Sequence, residues 1–334
     1  MIKPARSSKR PWPRKSGSET AALFGTGPIY PRSFSTRSMG GRLVVHIALE
    51  DRRRKVPEVV LSRINRWADR LTRHSEYSDL ARLNADPGQS VVVRPTLARA
   101  LRAGTLAAQE TGGLVNITLL DARLAAEKGQ SVSSLNGHTY SITDTRRGGA
   151  IIERAPGVHF DLDGVGKGLL SDRALGLLER HTSAIVDADG DMAIRVAAGR
   201  SWQIAVADPR NLAIDLCVLA ISDPSATGSV QFGVATSGNS VHRWEHNGLV
   251  SHHLIDPRTG LSARSDVVQA TVIARSASRA EALAKAVVIA GSYAGLNLLE
   301  KAGALGAIIL TSSGRILAPL NTDRYLIADR RAKA

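Results

Sequence analysis

The segment Gly157–Gly168, leading without a break into Leu169–Arg180, limits what this chain can fold into more than any other. Val158, Phe160 and Leu162 alternate with polar positions, the period of a short strand, and Leu169, Leu170, Leu175, Leu177 and Leu178 form a helical stripe. The junction between them holds Gly164, Gly166 and Gly168 around Lys167. A glycine-punctuated turn from strand to helix leaves backbone N–H groups uncovered at the positive end of a helix, which suits a phosphate or pyrophosphate. The spacing is neither that of the P-loop nor GxGxxG, and such turns also arise for steric reasons alone, so both readings stay open on these residues.

At 334 residues the chain has room for one large or two modest domains. Hydrophobic residues make up 43% but aromatic ones only 4%, so the core must be aliphatic. A net charge of +14 invites a nucleic-acid reading, yet half of it comes from residues 1–38. There Lys3, Arg6, Lys9, Arg10, Arg14, Lys15, Arg32 and Arg37 face Glu19 alone, in a stretch rich in Ser, Pro and Gly without an apolar period. That composition reads as a disordered basic tail, with weak contact to an acidic membrane surface as its further use and no specific nucleic-acid partner expected. No apolar run follows the basic residues as in a secretory signal, and no window approaches a membrane span, so a cytoplasmic location is expected. Cys217 is the single cysteine, in the β-rich run Ile214–Leu219, which rules out an internal disulfide, a cysteine zinc cluster and a lipid-accepting N-terminal cysteine.

Leu43–Leu49 reads as the first buried strand, and Pro57 opens an amphipathic helix through Leu71. Ser78 and Asp79 have the chemistry of a helix N-cap and Asn84 that of a helix end. Thr96–Thr111 is a second helix, stopped by Gly112 and Gly113, and Leu114–Asp121 follows as an extended or first-turn segment. Residues 122–150 are polar and read as a surface excursion. Beyond the central turn, two strands hinge on Asp189–Gly190–Asp191, and further strands are expected near Trp202–Pro209, Asp215–Leu219 and Val267–Ala274. Arg279–Gly291 is an apolar helix with Glu281 and Lys285 one turn apart, a spacing usual for surface ion pairs. Strands close together in sequence with a handful of helices predict an α+β fold.

Taken in order, the punctuation points resemble the FAD:protein FMN transferase (ApbE-type) family. Ser38–Met39–Gly40 stands at its Met-Gly-Thr entry, with Gly41 for Thr, and Ser78–Asn84 is similar to its Ser-Glu-x-Ser-x-x-Asn segment. Thr111–Gly113 with Asn116 and Thr118, the central turn, Asp189–Asp191, Ala235–Gly238 and His253–Gly260 are similar to successive family motifs, the last of them His-x-x-Asp-Pro-x-Thr-Gly. The resemblance implies one α+β unit of mixed sheets flanked by helices over residues 39–320, between the basic tail 1–38 and a C-terminal tail 321–334. It implies FAD as substrate and a reaction in which a Ser or Thr hydroxyl of an FMN-binding acceptor domain of a redox protein attacks the pyrophosphate, so that FMN is attached and AMP leaves. By resemblance His253 and Lys167 are the catalytic candidates. FAD contacts are implied at Met39, Ser78, Asp79, Asn84, Asn116, Thr118, Asp161, Gly164, Lys167, Thr236, Ser237, Gly238 and His253. Magnesium is implied at Gly166, Asp191 and the positions of Glu281 and Lys285.

Three departures from the family pattern bear on the metal and the phosphate. Lys285 replaces a Thr that, with the Asp at the position of Glu281, helps to hold magnesium; lysine repels a divalent cation, and its ammonium either stands in for metal charge or pairs with Glu281. Asp163 and Asp189 each replace a Gly, and with Asp191 and Glu281 they are candidates for a shifted magnesium site. These departures support a rival reading, an FAD-binding relative without transfer activity. A third reading is a basic protein whose tail meets nucleic acid or a membrane surface.

Overall fold

The computed structural model describes residues 30–38, 41–49, 58–131, 139–178, 183–223, 227–246 and 248–327. From the N-terminus come β1 (Tyr30–Ser38), β2 (Gly41–Leu49), α1 (Glu58–Leu71), the short α2 (Asp79–Ala85), β3 (Ser90–Val93), α3 (Pro95–Glu110) and α4 (Leu120–Glu127). β4 (Tyr140–Asp144) and β5 (Ala150–Arg154) precede the glycine turn, which runs into α5 (Gly166–Leu175). The acidic hinge joins β6 (Ser183–Ala188) to β7 (Asp191–Val196), and β8 (Trp202–Asp208) pairs with β9 (Asn211–Ile221). β10 (Val230–Gly238), β11 (Arg243–His246), β12 (Leu249–His252), β13 (Ile255–Asp256), β14 (Leu261–Ser262) and β15 (Val267–Ala274) follow. The chain then forms α6 (Ala277–Ala290), α7 (Ser292–Lys301), β16 (Gly306–Thr311) and β17 (Ile316–Leu317).

Eight strands build the main sheet in the order β1-β2-β6-β7-β10-β15-β16-β17, with every pairing antiparallel. Period-2 alternation decides which face each residue meets. Leu43, Val45 and Ile47 on β2 pack with Val60 and Ile64 of α1 and with Ala174 and Leu175 of α5. On the same face Ala270 and Val272 meet Leu283 and Val287 of α6. The alternate residues, Ile194, Val234 and Ile273, meet the β8–β9 ribbon through Trp202, Ile204 and Leu219. A separate cluster around Phe160, Leu97 and Leu101 joins α2 and α3 to the small sheet β3-β5-β4. The fold is α+β, as the sequence predicts, and its core is aliphatic.

Four expectations change. Residues 30–38, expected as tail, are an edge strand: Arg32, Phe34, Thr36 and Ser38 are half-buried and alternate with exposed neighbours. With Phe34 the sole large apolar side chain among these alternating positions, composition hides a period that the pairing with β2 enforces. Residues 1–29 lie outside the described ones. Residues 321–327, expected as part of a C-terminal tail, belong to the fold: Thr322 is fully buried with its Oγ1 accepting from Ala307 N at 2.9 Å, and Tyr325 packs on Phe232, whereas residues 328–334 lie outside the described ones. The polar stretch 122–150 holds most of α4 as well as β4. Val158, Phe160 and Leu162 are buried but unpaired in any sheet. The Phe160 backbone is satisfied instead by Asn84, whose Nδ2 donates to Phe160 O and whose Oδ1 accepts from Phe160 N, both at 2.8 Å.

Candidate active site

Two helices lock each other's N-terminal ends, and that lock places the charged residues. Glu281, fully inside on α6, accepts a hydrogen bond from Gly168 N of α5 at 2.8 Å. In return Asp172 of α5 accepts from Ala277 N at 2.8 Å, Ser278 N at 2.9 Å and Ser278 Oγ at 2.8 Å on α6. A carboxylate at a helix N-terminus satisfies otherwise orphaned N–H groups and complements the helix dipole. Such close approach requires the missing side chains: a Cβ on Gly168 would lie 2.6 Å from the backbone of Ala277, and one on Gly233 of β10 2.0 Å from that of Ser276. The central glycines therefore serve helix packing. Their N–H groups are largely committed, Gly166 N to Leu162 O at 2.8 Å and Gly168 N to Glu281, so the turn offers a ligand few backbone donors.

What it offers is charge. Lys167 stands 3.8 Å from Asp189; burial works to lower its proton affinity, but Asp191, Asp163 and Asp189 raise it further than burial lowers it. Asp163 binds the Arg123 guanidinium, which also reaches Asp161 at 3.0 Å and Glu127 at 3.2 Å. Burial alone would raise the Asp163 pKa, but the charges of Lys285 and Arg123, then His253 and Lys167, hold it well below the usual carboxylate range. Asp191 carries the opposite shift, pushed up to about 7 because burial outweighs the attraction of Lys167 and Lys285. Glu281 is raised for the same first reason, with Asp191 adding repulsion.

Lys285 does not form the expected ion pair with Glu281, whose carboxylate is occupied by Gly168. Its ammonium instead rests against Gly164, 2.9 Å from where a Cβ on that residue would stand. The cleft here is lined by Asn116, Arg123, Asp161, Asp163, Gly164, His253 and Lys285, and has room for about 40 Å³. Ligand pockets usually hold roughly 300–1,000 Å³, so a large ligand enters only if long side chains swing aside. Arg123 is held by three carboxylates, which leaves Lys285 as the movable one.

His253 follows β12 and precedes the tight turn Asp256–Gly260, where the Asp256 carboxylate accepts from Arg258 N and Nε, both at 2.9 Å, and Gly260 takes φ 70°. Its neighbour His252 is buried, with its ring on Ala263 O at 2.9 Å. His253 itself lines the cleft with Nδ1 buried and without a protein partner. Its ring meets that of His242 edge-on at 5.2 Å. Burial and the Lys285 charge push its pKa down to about 3, so the imidazole is neutral.

Not every expected residue gathers here. Met39 lies outside the described residues. Ser78 is buried as the N-cap of α2, accepting from Ala81 N at 2.9 Å, Asp79 faces Arg94 at 3.5 Å, and Asn84 clamps Phe160. None of these three lines the cleft. Asn116 does, with Thr118 tied to its Oδ1 through N and Oγ1. Thr236 turns to the ribbon face of the sheet, its hydroxyl 2.8 Å from that of Thr271, whereas Ser237 takes the helix face and Gly238 abuts Val268 O. Asp189 adopts φ 60°, the left-handed region where a short acidic residue substitutes for Gly at modest cost. Its carboxylate fills the space that any side chain on Gly41 would need, 2.6 Å from such a Cβ, so the two departures from the family pattern compensate each other. Arg123, His242 and Asp172 were not singled out by sequence. The i,i+4 spacing of Arg123 and Glu127 was the one local signal; Asp172 finds its partners 105 residues away.

The ApbE family model matches residues 39–309. The chain belongs to the ApbE family. A Treponema pallidum protein named FAD:protein FMN transferase is 27% identical over 318 residues, covering 86% of this chain and 83% of that protein. The Salmonella typhimurium protein of the same name is 28% identical over 152 residues, 44% of this chain and 41% of its own length. Among solved structures, the Thermotoga maritima ApbE protein superposes with a TM-score of 0.73 at 22% identity, over 89% of this chain and 99% of that one. The Vibrio cholerae flavin transferase ApbE does so at 0.68 and 18% identity, over 90% and 100%.

The magnesium implied by the family pattern does not fit the residues present. An ammonium stands at one implied ligand position, the Glu281 carboxylate is committed to Gly168, and among the described residues no three His, Cys, Asp or Glu side chains converge to hold a metal ion.

Proposed function

We propose that this ApbE-family chain is an FAD:protein FMN transferase, joining FMN from FAD to a Ser or Thr hydroxyl of an acceptor protein with release of AMP. The observation that carries the reading is the buried, unpartnered Nδ1 of His253, a residue that lines a cleft with Arg123 and Lys285, with Lys167 within electrostatic reach of Asp163 in the same lining. Cleavage of a pyrophosphate needs positive charge on its oxygens, an in-line nucleophile and a path for the nucleophile's proton. The acceptor oxygen forms a bond to the phosphorus of the FMN half, the bond from that phosphorus to the bridging oxygen breaks, and the bridging oxygen departs with AMP. His253 is the group we assign to take the hydroxyl proton. A neutral imidazole has the free lone pair this requires, and an approaching pyrophosphate raises its proton affinity.

The residues at the magnesium positions leave charge neutralisation to side chains, Lys167 and Lys285 first. Asp161 and Asp163 hold the Arg123 guanidinium at the cleft wall. The acceptor we propose is an FMN-binding domain of a redox protein, met in the cytoplasm; no helix among the described residues is long and apolar enough to cross a membrane. AMP formation from FAD tests the reaction. The reading expects AMP in equal amount to attached FMN, only when an acceptor with a Ser or Thr at the attachment point is supplied. FAD turnover that is independent of the acceptor would count against it.

A further inference from the structure

We infer that the Lys285 ammonium is a built-in cation for the FAD pyrophosphate, so that FAD binding by this chain does not require a divalent metal. The inference rests on the flavin-transferase reading and concerns which group in that site neutralises the phosphates.

The geometry supports it at three points. First, Lys285 is half-buried on α6 and lines the cleft, one turn from the buried Glu281. Its ammonium lies in the cleft against Gly164, in space that the absent Cβ of that glycine leaves open. Second, Asp163, which takes the place of a family Gly, is within electrostatic reach of Lys285. One new acid thus accompanies the new base, holding the added charge in check before a ligand arrives. Third, the Glu281 side chain, longer by one methylene than the Asp of the family pattern, reaches the N-terminus of α5. A carboxylate so engaged is withdrawn from metal ligation, and an ammonium beside it repels a divalent ion. Unlike Arg123, Lys285 has no ion-pair partner among the described residues, so it can turn to a phosphate without first breaking a salt bridge.

Flavin fluorescence titration of the full chain with FAD, in EDTA and again in added magnesium, tests the inference. We expect the same dissociation constant in both. Lys285→Met should weaken binding by about ten- to a hundredfold, the usual weight of a charge-assisted contact, and Lys285→Arg should recover most of it. Manganese titrated into the wild-type protein with FAD, followed by the electron paramagnetic resonance of the free ion, should show no uptake beyond that of FAD alone. Binding that appears only with magnesium, or manganese uptake by the protein, would overturn the inference and leave the transferase reading intact. Absence of FAD binding under both conditions would overturn the reading, and the inference with it. Should Lys285→Met fail to fold, the wild-type titration still decides.

Discussion

Burial shifts His253 and Asp191 in opposite directions, because in both it disfavours the charged form. The His253 pKa falls from 6.5 to about 3, so between those values the unfolded chain binds the proton and the native one does not, and stability rises with pH across that window. The Asp191 pKa rises from 3.8 to about 7, so the native state binds the proton, and this contribution is lost as pH climbs through 7. The two oppose each other over most of their range, and single variants separate them. Chemical denaturation of Asp191→Asn against wild type, from pH about 4 to about 8, should show the wild type losing relative stability as pH rises. A difference constant with pH would contradict the burial of that carboxylate. His253 belongs at this scale too: its family motif named it from sequence, but its neutrality comes first from burial and then from Lys285, 32 positions along the chain, and no local pattern reports either.

At the scale of elements, α5 and α6 act as one unit because each caps the other. Asp172→Ala removes the acceptor of three hydrogen bonds at the start of α6 and should cost about 0.5–2 kcal/mol in equilibrium unfolding, with FAD affinity falling as Lys285 loses its placement. Loss of stability without loss of FAD affinity would separate the lock from the site. Gly233→Ala drives a methyl into the Ser276 backbone and should destabilise by about 1–3 kcal/mol, read from the same unfolding curves. Helices and strands with a clean period, such as α1, α3, β2 and β15, were legible because one face must be apolar. The run at Phe160 reads as a strand because its alternation is real, yet the Phe160 peptide groups bond to the Asn84 side chain and Asp161 N to Ile117 O rather than to a neighbouring strand. The glycine turn leaves a phosphate reading and a steric one open in the sequence, and the structure commits Gly166 N to Leu162 O and Gly168 N to the Glu281 carboxylate of α6. The local pattern is the same for both uses, and the partner that decides is Glu281, over a hundred residues away.

At the scale of the whole molecule, an antiparallel sheet with helices on one face and a two-stranded ribbon on the other brings residues from Asn116 to Lys285 to a single cleft. Motif order carried the family, and with it the fold, because seven short signals in one order are jointly specific. The departures Asp163 and Asp189 read in the sequence as parts of a shifted magnesium site. Contact in space shows instead that Asp189 fills the volume beside Gly41, and that Lys285 offsets the charge of Asp163. The central claim is that His253 and the cations around it move FMN from FAD to a hydroxyl. The measurement that tests it most directly is the intact mass of an FMN-binding acceptor domain after incubation with this protein and FAD, beside a His253→Ala control. The expected result is a gain of one FMN per acceptor, slowed about 10²- to 10⁴-fold in the control. An acceptor whose mass does not change while the protein holds FAD, or a control that transfers as fast as wild type, would contradict it.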